Sequence, residues 1–100
     1  MQAKLIDIER RIFILERLAG REISAPDLHR MAQRDFPRKQ VTERRMYEAL
    51  YKLHRFSNVK RVPAPEGEKD VICYTTTDAG KRKLIYLNKK AKEMRQNGPD

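Results

Sequence analysis

Two helix starts separated by a proline constrain this chain more than any other feature. In Ser24-Ala25-Pro26-Asp27 the serine hydroxyl can accept from the Asp27 amide, and Pro26 is tolerated in a first turn that has no use for its missing N–H. Ile23 before this cap and Leu28 after it have the spacing of a hydrophobic staple, and Leu28, Met31 and Ala32 form a short inner stripe. Pro37 disfavours helical backbone at Phe36, so the helix ends there. After the basic turn Arg38-Lys39-Gln40, Thr42 caps a further helix whose apolar set, Met46, Ala49, Leu50 and Leu53, falls in a sector about 100° wide. Arg44, Glu48, Tyr51 and Arg55 point the opposite way, with Arg45 and Lys52 flanking one side and Tyr47 the other. Two short helices joined this closely predict a helix-turn-helix whose second member displays a polar face.

The flanking segments supply the support. Leu5, Ile8, Ile12, Leu15 and Ala19 step by three and four, predicting an opening helix that Gly20 closes. Ile6, Phe13, Ile14 and Leu18 fall outside that stripe, so more of its circumference is apolar than one core requires, and a second surface is expected to cover it. Beyond Ser57-Asn58, Val59 to Val62 reads as a strand, Pro63 to Asp70 as a polar, turn-rich tip and Val71 to Thr75 as the returning strand. Pro63 and Pro65 would each remove a ladder donor from a strand interior. Thr77-Asp78 opens a last helix over residues 77–95, with a narrow stripe of Leu84, Leu87, Ala91 and Met94, and 96–100 is expected to fray. This order predicts one α+β domain over residues 1–95, a winged helix-turn-helix with a three-helix core, a two-stranded wing and a C-terminal helix.

Charge indicates the partner. Lys and Arg number 23 against 14 Asp and Glu, a net charge of +9 on 100 residues, and such an excess favours a polyanion because neutralised phosphates release condensed counterions. No stretch approaches the roughly 20 apolar residues that span a bilayer, and the opening Met-Gln-Ala-Lys lacks a signal-peptide pattern, so a cytoplasmic protein without membrane contact is expected. Cys73 is the single cysteine, which excludes an internal disulfide and reads as a small apolar strand residue. His29 and His54 fall in no metal-binding frame, and there is no Gly-rich phosphate loop and no nucleophile with a base at recognisable spacing. Neither catalysis, a metal, a cofactor nor a small-molecule ligand is therefore expected. Asp7, Glu9, Glu16 and Glu22 fit the solvated side of the first helix or its exit.

If the helix that Thr42 opens enters a major groove, Arg44 and Arg45 can reach a guanine edge or a phosphate, and Glu48 can accept from a cytosine amino group. Arg44 with Glu48 is equally an i,i+4 pair that supports the helix. Tyr47 and Tyr51 add apolar surface that a merely solvated face does not need, and each can donate to phosphate or pack on a sugar; Thr42 and Lys52 complete that face. Arg34, Arg38, Lys39 and Gln40 surround the preceding turn and would meet backbone phosphates. In the wing Lys60, Arg61 and Lys69 are basic, but Glu66, Glu68 and Asp70 oppose phosphate, so the wing is the weakest contact.

The run Val41-Thr-Glu-Arg-Arg-Met-Tyr-Glu-Ala-Leu-Tyr-Lys-Leu53 resembles the third helix of PadR-like winged-helix regulators, Ser/Thr-x-x-x-apolar-Tyr-x-x-Leu-x-x-Leu, with Tyr47, Leu50 and Leu53 in the matching places. Tyr74-Thr-Thr-Thr-Asp-Ala-Gly80 is similar to the Tyr-x-Leu-Thr-x-x-Gly signature with which PadR- and MarR-like domains leave the wing; Thr77 and Gly80 match, and Thr76 replaces the Leu. The resemblance covers residues 5 to 87, extends to small plasmid- and virus-encoded winged-helix proteins, and departs from the pattern where Ser57-Asn58 replaces a glycine before the wing. Asn58 can take the left-handed conformation there.

The resemblance implies a homodimer, and Ile6, Phe13, Ile14 and Leu18 of the first helix with Ile85 and Tyr86 of the last are the expected pairing surface, the alternative being that the two helices cover one another within a monomer. Two such helices would meet half-sites about 34 Å apart on double-stranded DNA. The leading expectation is a sequence-specific DNA-binding regulator, a repressor that occupies a promoter. A plasmid or viral replication or partition protein would use the same residues. A winged-helix module for an acidic protein partner is the alternative of another class, and RNA ranks below both because the aromatics form no RNP-like strand motif.

Overall fold

Ser24 and Thr42 both cap helices. In the computed structural model, described over residues 3–36, 42–64 and 71–96, α2 spans Ala25–Asp35 and α3 spans Glu43–Arg55. The Asp27 amide donates to Ser24 Oγ at 3.4 Å and the Arg45 amide to Thr42 Oγ1 at 3.2 Å, each satisfying a donor that the first turn leaves free. Phe36 turns extended (ψ 132) and ends α2 as Pro37 requires. Pro37 itself, Arg38, Lys39, Gln40 and Lys69 lie outside the described residues, as do 97–100 of the expected tail.

Met46, Ala49, Leu50 and Leu53 of α3 share one core with Leu28 and Ala32 of α2, with Leu5, Ile8 and Leu15 of α1, Ala3–Arg17, and with Leu18 in the turn just after it. α1 corrects the expected pairing surface. Phe13 is 7 % exposed and Ile14 and Leu18 are fully buried within this one chain, so none of the three is free to meet a second copy. The surface that covers them is the chain's own: α1 contacts α2, α3, α4 and the sheet, and the Phe13 ring meets Phe36 edge-on at 5.7 Å between centroids. The Arg17 guanidinium lies 4.6 Å from the Phe13 ring on its outer side. Ile12 is only half-buried and Ala19 exposed, so the packed stripe is rotated from the simplest reading of the periodicity. Gly20 closes the helix with φ 71, as expected.

The sheet has three strands rather than two. β2, Val59–Pro63, and β3, Ile72–Thr76, form the hairpin, and β1, Ile23–Ser24, pairs antiparallel with the other side of β3, giving the order β1-β3-β2. An N-cap residue must leave the helical region, and Ser24 does so at φ −73, ψ 157. The same extended backbone lets it pair with Cys73. Pro63 stands at the end of β2, on an edge strand where its missing donor is tolerated.

A run of three threonines fastens the frame. Thr76 Oγ1 donates to the Leu15 carbonyl at 2.9 Å, while the Thr76 amide (3.1 Å) and Thr75 Oγ1 (3.1 Å) donate to Leu18, so carbonyls at the open end of α1 find partners. Thr76, which stands where the resembled signature has leucine, is thus buried through its hydroxyl. Thr77 Oγ1 donates to Ser57 O at 2.6 Å and accepts from the Gly80 amide at 3.0 Å, capping α4, Asp78–Gln96. At the end of α3 the left-handed residue is Ser57 (φ 62), not Asn58. Ser57 N–H donates to His54 O at 3.0 Å and Asn58 N–H to Leu53 O at 2.8 Å, the two bonds of a Schellman motif. α4, about 28 Å long at 1.5 Å per residue, lies along α1, and an Arg95–Glu9 ion pair of 2.8 Å joins them. Among the described residues no helix is long and apolar enough to cross a membrane.

Candidate nucleic-acid interface

The division of α3 follows its periodicity. Met46, Ala49, Leu50 and Leu53 are buried, and Glu43, Arg44, Arg45, Tyr47, Glu48, Tyr51, Lys52 and Arg55 are exposed around them. Thr42, spent on the cap, stays exposed at the leading edge. Arg44 Nε lies 3.4 Å from Glu48 Oε2 across one turn, yet the Arg44 side chain remains 87 % exposed, so this pair leaves the guanidinium available to a ligand. Tyr51 projects at 61 % exposure. Tyr47, at the margin of the core, donates to Glu43 Oε2 at 3.4 Å; burial and then the Glu43 carboxylate push its phenol up, which keeps it a donor.

The other predicted contacts divide. Arg34 sets its guanidinium fork on the neighbouring Asp35, with Nε at 2.9 Å and Nη2 at 3.0 Å. Hydrogen bonding to Arg34, with the charges of Arg34 and Arg17, holds the Asp35 carboxyl below the usual range. Asp35 also lies 3.4 Å from Arg17, so the end of α2 is tied to α1 and Arg34 is already engaged. Lys60 and Arg61 are both exposed on β2, but the pleat sends neighbours to opposite faces. Arg61 faces Tyr74, its register partner, with the guanidinium 6.0 Å from the ring. That ring in turn meets His54 of α3 edge-on at 6.2 Å. Arg61 therefore belongs to the side of the sheet that carries α3, and Lys60 to the other.

Two cations that the sequence assigned no role stand beside α3. Arg10 and Arg11 of α1 face Arg45, Lys52 and Arg55 across a cleft of about 350 Å³. A second cleft of about 340 Å³, sharing Arg11 and Lys52, continues past Phe56 to Lys83 of α4. The sequence signal for the α1 pair was the spacing of Arg10 and Arg11 from Asp7, three and four residues, which puts all three on one helical face.

The sequence matches no protein-family model and no curated protein. Solved structures are similar to it. A PadR family transcription regulator from Clostridium difficile R20291 superposes with a TM-score of 0.69 at 17 % identity, over 87 % of this chain and 91 % of that one. The structure of smu.1704 from Streptococcus mutans UA159 gives 0.74 at 18 % identity, over 89 % and 81 %, and SSV1 F-93 gives 0.57 at 20 %, over 91 % and 92 %. The fold is a winged helix-turn-helix. Within the winged helix, α2 and α3 are the helix-turn-helix pair, β2 and β3 the wing, and α4 the C-terminal helix. In a winged helix α3 rests on a strip of four buried residues, Met46, Ala49, Leu50 and Leu53, and offers most of its remaining circumference to solvent.

Proposed function

We propose that this chain binds double-stranded DNA sequence-specifically as a homodimer and acts in the cytoplasm as a transcriptional regulator, a repressor that occupies its promoter, without catalysis. The observation that carries this reading is the exposed face of α3, where Arg44, Arg45, Glu48 and Tyr51 project from the circumference left free by the buried Met46, Ala49, Leu50 and Leu53. Such a helix can enter a major groove and read base edges. Similarity in fold to a PadR family transcription regulator supports it, and the net charge of +9 supplies attraction for the phosphate backbone. Arg44 and Arg45 read bases, Tyr47, Tyr51 and Lys52 hold the flanking backbone, and Thr42 fixes the start of the helix. Arg61 is the wing cation best placed to join them, Arg38, Lys39 and Gln40 meet phosphate near the turn, and Arg34 does so only by sharing its guanidinium with Asp35. Pairing rests on Ile85 and Tyr86.

A salt titration of duplex binding tests the electrostatic part: affinity should fall with log-log slope of about −0.9 per phosphate neutralised. Replacing Arg44 and Arg45 together with Ala should erase the preference for a selected site over random duplex, a loss of about 1–3 kcal/mol per bidentate base contact. Circular dichroism should be unchanged. Salt-insensitive binding, or discrimination that survives the double substitution, overturns the reading.

A further inference from the structure

We propose that the cleft between α1 and α3 is a phosphate-binding site that admits a small phosphorylated anion. Arg10 and Arg11 enter it from α1, and Arg45, Lys52 and Arg55 from α3; among the described residues that line it, only Asp7 and Glu48 oppose them. Arg10 is 9 % exposed, and the Nε atoms of both α1 arginines are buried with no hydrogen-bond partner among the described residues. Among the described residues Asp7 alone serves the pair, at 3.4 Å from Arg10 Nη1 and 3.4 Å from Arg11 Nη2, one single contact each rather than a fork. A guanidinium taken this far out of water needs compensation that one half-exposed carboxylate, shared between two cations, does not supply. Arg45, Lys52 and Arg55 form no ion pair among the described residues.

Cations converging on one cleft, most of them able to donate through planar forks, suit the several oxygens of a phosphate better than a lone carboxylate. At about 350 Å³ the cleft has the size of a small-molecule site, larger than a single phosphate needs. The inference deepens the DNA-binding reading, because Arg45 and Lys52 belong to both surfaces: an anion in the cleft neutralises charges that the duplex would use, and by linkage each ligand weakens the other.

Sodium tripolyphosphate titrated into the labelled full chain at constant ionic strength, with the arginine Nε–H resonances followed by NMR, is the test. Saturable shifts at Arg10, Arg11 and Arg45 are expected, with affinity falling about tenfold in Arg11→Gln as one charge-assisted contact is lost, and duplex affinity should drop further than in sodium chloride of equal ionic strength. Saturable shifts with undiminished duplex affinity would keep the anion site and remove its competition with DNA. Weaker duplex binding by Arg11→Gln, with no saturable tripolyphosphate response, would assign the phosphate to the DNA backbone. If neither ligand responds to the cleft, the proposal is overturned. Wild-type protein that binds tripolyphosphate and no duplex would defeat the DNA reading alone.

Discussion

Gly80 has no room for a methyl group. A Cβ there would overlap the Asn58 carbonyl oxygen and come within 2.7 Å of Thr76 Cγ2, because the first turn of α4 presses on the loop that leaves α3. Gly80→Ala should therefore destabilise the fold by about 2 kcal/mol, the range of an overpacked core. A thermal melt should show the midpoint lowered by roughly 10 °C, and an unchanged midpoint would mean that the contact yields freely. The sequence displayed this glycine through the Thr-x-x-Gly pattern, but not its reason, which depends on two segments far apart along the chain. The neighbouring position shows the converse. The end of α3 requires one left-handed residue, Ser57 or Asn58 by position, and the preference of asparagine for that conformation pointed to Asn58. The hydrogen bonds decide otherwise: Asn58 N–H reaches back to Leu53, which fixes Ser57 as the residue just past the cap.

Among the elements, α3 was fully legible because its burial repeats with the period of a helix, and its four buried residues are those that the spacing selected. The two segments read incompletely from sequence fail that condition in different ways. β1 has two residues, too few to show any period, and exists because a helix cap happens to be extended. α1 carries apolar residues around most of its girth, which is equally the pattern of a helix that meets a second copy and of one enclosed by its own chain; Phe36 and α4 make it the latter. The cleft beside α3 was invisible for a related reason, since it exists only once α1 lies against α3. The end of α3 offers a test at this scale. Ser57→Gly relieves a left-handed serine at the cost of a more mobile unfolded chain, a net stabilisation of about 0.5 kcal/mol. Chemical denaturation should show a higher midpoint with unchanged slope; a lower midpoint would mean that the serine side chain contributes there.

At the level of the molecule, the extents of 47 × 28 × 19 Å describe a body drawn out along one axis. With Phe13, Ile14 and Leu18 enclosed, the unpartnered apolar surface of α4 reduces to Ile85, 72 % exposed, and Tyr86, 54 %, whose ring has the Lys83 ammonium 5.1 Å from its centre. If the chain pairs as proposed, Ile85→Lys together with Tyr86→Lys should convert the proposed dimer to a monomer in light scattering and weaken binding to a two-half-site duplex, with cooperative unfolding retained. A dimer that survives both substitutions would move the pairing surface away from this part of α4.

Ser24 gives this body a mechanical property. The same residue starts α2 with its hydroxyl and joins the sheet with its backbone, so the helix-turn-helix and the wing meet in one position with no spacer between them. A displacement of the hairpin would therefore act on the first turn of α2 through Ser24 itself, and on α3 through the shared core.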